Sequence, residues 1–237
     1  MSLKQSTIGE IVSDNYHAAG VFREYGIDFC CGGDKLLSDV CESKGIPFEE
    51  VTNKLKSAPW VNRTSGDNYN DWSPDFLVDY IINTHHTFVR KKTDEVAGYA
   101  AKVAKVHGES HPENVEIFKK FISLSNELME HLNEEESRVF PLIKKVYDKR
   151  KNGQQPDEIE VSELKAELDQ MVDEHEVAGS LMGEIRSLSN GFTPPQDACA
   201  TYRILYQNLA GFEEDLHKHV HLENNILFKK MERLIAA

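Results

Sequence analysis

Four segments of this chain carry apolar residues at helical spacing, and each stripe is broken by a histidine where a core residue is expected. Two of the stripes add a glutamate one turn later. Leu205, Leu209, Phe212, Leu216, His219, Glu223 and Ile226 step by three and four along one face, as do Phe121, Leu124, Leu128, His131, Glu135 and Val139. Leu164, Leu168, Met171, His175, Ala178 and Met182 form a third stripe, and His85 and His86 interrupt a fourth. Residues four apart on an α-helix project from one face. Burying an isolated carboxylate among apolar side chains costs several kcal/mol, so Glu135 and Glu223 demand cations beside them. A lone histidine on an apolar stripe is more often a hydrogen-bonded core residue. Four such stripes, two with a glutamate at i+4, point instead to metal held between helices.

The donor types narrow the metal. A carboxylate bridges two ions through its two oxygens, whereas an imidazole binds one. Four histidines and two glutamates exceed the needs of one tetrahedral zinc. They suit two five- or six-coordinate ions sharing both glutamates, and nitrogen and oxygen donors without thiolate suit non-haem iron or manganese. Periodicity does not choose between His85, in line with Ile81 and Phe88, and His86, in line with Ile82 and Val89.

Segment boundaries support an all-α fold. Ser73-Pro74-Asp75 and Ser110-His111-Pro112-Glu113 have the form of helix starts, and Ser162-Glu163 and Thr193-Pro194 read as two more. Pro141 falls inside the second segment and is expected to kink or break it. Residues 74–237 thus read as a four-helix bundle. Residues 61–73 have linker composition, and residues 1–60 read as a small helical domain. In that domain Thr7-Ile8-Gly9-Glu10 has capping-box form, and Gly26 and Gly45 look like C-caps. A unit of this size has a small core and is expected to dock on something larger.

Charge excludes several function classes. Forty acidic against 27 basic residues give a formal charge of −13, which argues against nucleic acid and against an anionic membrane surface. No apolar run approaches the ~20 residues of a spanning helix, and Met1 to Asn15 does not read as a signal peptide, with Lys4, Glu10 and Asp14 in it. With four cysteines and no disulfide framework, the expected compartment is the cytoplasm.

Cys30 and Cys31 are adjacent in Asp28-Phe29-Cys30-Cys31-Gly32-Gly33. A disulfide between neighbours closes a strained ring, so the pair reads as redox-active or iron-contacting thiols, with helix N-termini expected to lower a thiol pKa. The plainer alternative is a tight loop with buried thiols. Paired thiols also leave a homodimer open. Cys41 and Cys199 read as packing residues, and His107 and His111 as caps at a helix break.

Together with Ile82-Asn83-Thr84-His85-His86, His131-Leu132-Asn133-Glu134-Glu135, Glu174-His175-Glu176 and His219-Val220-His221-Leu222-Glu223-Asn224-Asn225, the double-cysteine loop resembles the Repair of Iron Centers family. These are hemerythrin-like di-iron proteins that restore iron–sulfur clusters damaged by nitric oxide or oxidants. The resemblance spans nearly the whole chain. It implies a hemerythrin-like bundle with an oxo-bridged pair of non-haem iron ions held by His86, His131, Glu135, His175, His219 and Glu223. That selects His86 over His85, matches Glu127 and Glu174 to carboxylates that line a path to the metals or orient their ligands, and leaves His221 without a ligand role and expected at the surface. Met171 and Gly179 stand four residues either side of His175, where oxygen-carrying hemerythrins have a second histidine. A site with fewer imidazoles fits reactivity or iron delivery better than oxygen storage.

The implied function is repair of damaged clusters in response to stress, with damaged cluster proteins or an assembly scaffold as partners. Two alternatives use the same site: binding or sensing of oxygen or nitric oxide, and reduction of nitric oxide or peroxide.

Overall fold

The computed structural model describes residues 3–57 and 68–236; most of the expected linker, with Trp60, lies outside them. Among the described residues there are eight helices and no strand beyond one isolated bridge between Thr7 and Leu36. Four short helices come first: α1 (Ile8–Asp14), α2 (Ala18–Glu24), α3 (Leu37–Lys44) and α4 (Phe48–Ser57). The Thr7 hydroxyl accepts from the Glu10 amide while the Glu10 carboxylate accepts from the Thr7 amide, closing the expected capping box. Gly26 and Gly45 take the left-handed backbone that a C-cap requires.

Four long helices follow, three of them passing through a π turn. α5 runs Pro74–Ile81, Ile82–His86 (π) and Thr87–His107; α6 runs Glu113–Glu134, Glu135–Val139 (π) and Phe140–Lys151. α7 is Glu158–Leu188, and α8 runs Ala200–His221, Leu222–Leu227 (π) and Phe228–Ala236. Asp79 meets Lys144 and Arg90 meets Asn133, so α5 and α6 are antiparallel. His85 meets Asp215 and Lys92 meets Asn208, which makes α5 and α8 antiparallel too.

Three boundaries differ from expectation. Pro141 neither breaks nor ends α6. The π turn just before it widens the helix where an α turn would press the ring against a carbonyl one turn back. α7 starts at Glu158, because Asp157 and Glu160 form a capping box ahead of Ser162. α8 starts at Ala200, since two successive prolines, Pro194 and Pro195, hold the preceding residues out of helical geometry.

The apolar core comes in two parts. One joins the N-terminal domain (Ile8, Phe22, Phe29, Leu37) to half of the bundle (Val89, Phe121, Leu124, Leu205, Phe212). The other fills the opposite half with Leu77, Ile81, Phe140, Leu164, Leu168, Ile226 and Phe228. Between them lies a buried polar layer: His86, His131, Glu135, His175, His219 and Glu223, with Glu135 and Glu223 fully buried.

Candidate metal centre

All three π turns carry ligand candidates: His86 ends the first, Glu135 opens the second, and Glu223 lies in the third. A π turn adds a residue to the helix and re-aims the side chains around it, and such turns concentrate at functional sites. Here they turn groups from three helices into one layer, and α7 adds His175.

The donors fall into two overlapping sets. His86, Glu135, His219 and Glu223 have donor atoms within 4.8 Å of one another, and so do His131, Glu135, His175 and Glu223. Both glutamates belong to both sets, the pattern of two metal positions with two shared carboxylates. Glu135 Oε2 lies 3.3 Å from His86 Nε2 and 3.5 Å from His131 Nε2. Glu223 Oε1 lies 2.9 Å from His219 Nε2, and its Oε2 lies 3.3 Å from His175 Nε2.

Cations fit this layer on the chemistry of its own atoms. Both Glu135 oxygens, Glu223 Oε2 and His86 Nε2 are buried without a hydrogen-bond partner. Such groups are costly unless a charge is placed among them. With protons as the sole cations, burial pulls the His86 imidazole down, but Glu135 and Glu223 outweigh it and hold it up at about 10. His175 is likewise pushed up to about 9, burial being outweighed chiefly by Glu223. His219 goes the other way, lowered by burial. Glu223, which burial alone would raise, is held well below the usual range by His219, His175 and His86. Metal ions would take the place of those protons.

Three of the four imidazoles are oriented through the far nitrogen. His86 Nδ1 is 2.8 Å from Glu136, which Arg90 also holds at 3.0 Å. His131 Nδ1 is 2.7 Å from Glu174, and His175 Nδ1 is 2.8 Å from the Asn224 side-chain oxygen. These partners fix the tautomer and leave Nε2 facing the centre. Glu136 and Asn224 were not anticipated from the sequence, although each directly follows a glutamate on a π turn. Glu174 stands beside the centre through His131. Glu127 is exposed and accepts from Ser123, at the rim of a cleft of about 240 Å³ that Glu174, His131 and His175 also line.

His85 is buried but belongs to neither donor set; its Nδ1 is 2.9 Å from Asp215 and its ring stacks on His219. The expectation that His221 is exposed is wrong. It is 1% exposed, beneath Tyr16 and Phe29 of the N-terminal domain, and burial pulls its imidazole down to about 3. A domain that covers the bundle cannot be seen in the helical period of α8.

The double-cysteine loop docks on this part of the bundle. Asp28 accepts from the amides of Cys30, Cys31 and Gly32, each at 3.0 Å. The Cys31 thiol is 3.5 Å from the His175 carbonyl. Asn225 donates to the Cys30 carbonyl at 3.0 Å. A Cβ at Gly33 would lie 2.1 Å from Asn225 Oδ1, so any other residue there would push the Asn225 side chain from its place against the loop. The expected lowering of a thiol pKa fails for Cys30: the Cys31 thiol, burial and the Asp28 carboxylate all push it well up. Cys199 is exposed rather than packed, 3.2 Å from His107, whereas Cys41 is buried.

Two family models match the chain. Residues 4–59 match "Domain of Unknown function (DUF542)" and residues 77–231 match the "Hemerythrin HHE cation binding domain". Among similar proteins, the iron-sulfur cluster repair protein ScdA of Staphylococcus haemolyticus is 32% identical over 97% of this chain and 99% of its own. A probable iron-sulfur cluster repair protein of Haemophilus influenzae is 32% identical over 98% of both chains. The iron-sulfur cluster repair protein YtfE of Pectobacterium atrosepticum is 31% identical over 98% of this chain and 99% of its own.

Proposed function

The chain belongs to the hemerythrin HHE cation-binding family, and from that premise we propose that it repairs iron–sulfur clusters damaged by nitric oxide or oxidants, using a two-iron centre. The observation that carries this reading is the pair of donor sets sharing Glu135 and Glu223. His86 and His219 would hold one iron and His131 and His175 the other, with both glutamates common to the two. An iron pair there supplies redox-active Lewis-acid positions.

The chain's own groups do the rest. Glu136, Glu174 and Asn224 keep three Nε2 atoms aimed inward. Glu127, Glu130, Glu134 and Glu174 line the cleft that reaches His131 and His175, a negatively charged mouth suited to passing a cation between surface and centre. Iron leaving by that route would be cargo for a damaged cluster protein or an assembly scaffold. Among the described residues no helix is long and apolar enough to cross a membrane, and we take the cytoplasm as the working compartment.

The test is a repair assay on a nitrosylated cluster enzyme, comparing iron-loaded protein, apo-protein and the Glu135→Leu/Glu223→Leu variant. Recovery of enzyme activity is expected with the iron-loaded protein alone. Equal recovery by the double variant would overturn the reading.

A further inference from the structure

Beside the double-cysteine loop, where the N-terminal domain meets α7 and α8, lies a cleft of about 530 Å³, within the usual range for a small-molecule site. Gly179, Ser180 and Gly183 of α7 line it, so part of the helix surface is bare there. Nothing lies within 4 Å of where a Cβ would stand on Gly183, and one on Gly179 would be 3.5 Å from the Cys31 sulfur. Cys31 is partly exposed and lines the cleft together with Cys30.

The charges lining the cleft are only partly used. Asp28 is committed to three backbone amides and the Cys30 thiol, and Glu213 to Arg186. Arg23 makes one ion pair among the described residues, with Glu214 at 3.7 Å, and its Nε is buried without a partner. Lys35 has no ion pair among the described residues. Glu176 is exposed, and His217 Nδ1 is buried without a partner. One cation without an ion pair, a second held only by a long contact to Glu214, and one exposed anion, with a thiol alongside, suit a small amphoteric molecule richer in carboxylate than in ammonium and carrying sulfur.

We propose that this cleft binds the disulfide form of a carboxylate-bearing low-molecular-weight thiol and that Cys31 is its modification site, with Arg23 and Lys35 holding the carboxylates. The Cys31 thiolate attacks one sulfur of the bound disulfide. A Cys31–ligand S–S bond forms as the ligand's own S–S bond breaks, and the released half leaves as a thiolate that takes up the proton lost by Cys31. Cys30 is a poor resolving group despite a sulfur–sulfur distance of 3.8 Å. Its thiol bonds Asp28 at 3.3 Å, and a disulfide between neighbours is strained. The mixed disulfide therefore persists until a thiol from solution releases it. The proposal does not rest on the repair reading, because neither the cleft nor the exchange involves the bundle's metal ligands as reactants.

The test incubates the full chain with oxidised glutathione or with bis(2-hydroxyethyl) disulfide, which has no charge, and follows adducts by intact-mass and peptide mass spectrometry. Exposed Cys199 serves as internal control. With oxidised glutathione, Cys31 labelling is expected to saturate with concentration. Relative to Cys199, its preference for the carboxylated reagent should be at least about tenfold. Gly183→Leu fills the cleft without a Cβ clash and improves a helix residue, so it should fold and lose that saturation and preference. Labelling of Cys31 that is linear in concentration and indifferent to charge, or that is unchanged in Gly183→Leu, would overturn the proposal. So would adducts confined to Cys199.

Discussion

Asp28, in the double-cysteine loop, and the pair Glu135 and Glu223, in the core of the bundle, are carboxylates satisfied in opposite ways. Asp28, at the surface, takes three amides from its own loop and needs no further partner. Glu135, in the core, has neither oxygen hydrogen-bonded among the described residues, and Glu223 leaves one oxygen unpartnered. Asp28 organises its loop, although with Cys30 and Cys31 it also forms a donor group that could hold a metal ion, whereas the core pair is left short of donors and suited to cations. A third kind, Glu160, is nearly covered and held by Lys149, Lys145 and the Asp157 amide. The difference teaches that a carboxylate's function follows from which donors its backbone neighbourhood leaves it.

Replacing both core glutamates should have the largest effect. Glu135→Leu/Glu223→Leu is expected to lose its metal entirely, while the apo variant gains about 1–4 kcal/mol over apo wild type, because buried charges short of partners are exchanged for apolar groups. Metal analysis and paired thermal melts measure both. Retention of two metals per chain would erase the distinction between Asp28 and the core pair.

Next in size is Asn224→Ala, which removes the acceptor at His175 Nδ1. Metal affinity should fall about 10–100-fold, the usual cost of losing such a partner. Competition with a chelator reads this directly, and the Asn224→Asp variant should restore binding.

Asp28→Ala sharpens the contrast from the other side. Losing three amide bonds, two of them exposed so that water can partly replace them, should destabilise the fold by about 1–2 kcal/mol, with metal content unchanged. Denaturant unfolding together with metal analysis decides it; loss of metal would mean that the loop and the centre are one unit.

The smallest effect concerns Glu160. Lys149, the Asp157 amide and Lys145 lower its pKa to about 2 in the folded chain, below the value of about 4.3 for an unfolded glutamate. A depressed acid stabilises above its unfolded pKa and loses that contribution as pH falls through the folded one. The melting difference between wild type and Glu160→Gln should therefore be full at pH 6 and shrink between about pH 4.5 and pH 2. A difference independent of pH would show that the contact stabilises by packing alone.

Much of the bundle is legible along the chain, because helical period and donor type are local properties. The stripes through His131 and Glu135 and through His219 and Glu223 lie in one buried layer, and the capping box at Thr7 is present. The start of α8 escaped because Thr193-Pro194 mimics a helix start and a second proline cancels it. The choice between His85 and His86 was also invisible to periodicity, because a π turn between Ile82 and His86 breaks the period that would be used to decide.

The residue order by itself determined an acidic helical chain in which histidines and glutamates had to share a core with apolar side chains, since spacing along a helix dictates which groups share a face. Only the tertiary structure decided that Glu136 and Asn224 orient imidazoles, that His221 lies under the N-terminal domain, and that Cys31 borders both a cleft and the His175 carbonyl. Each of those facts joins residues from separate helices or domains, and no period along one segment encodes which surface another segment will cover.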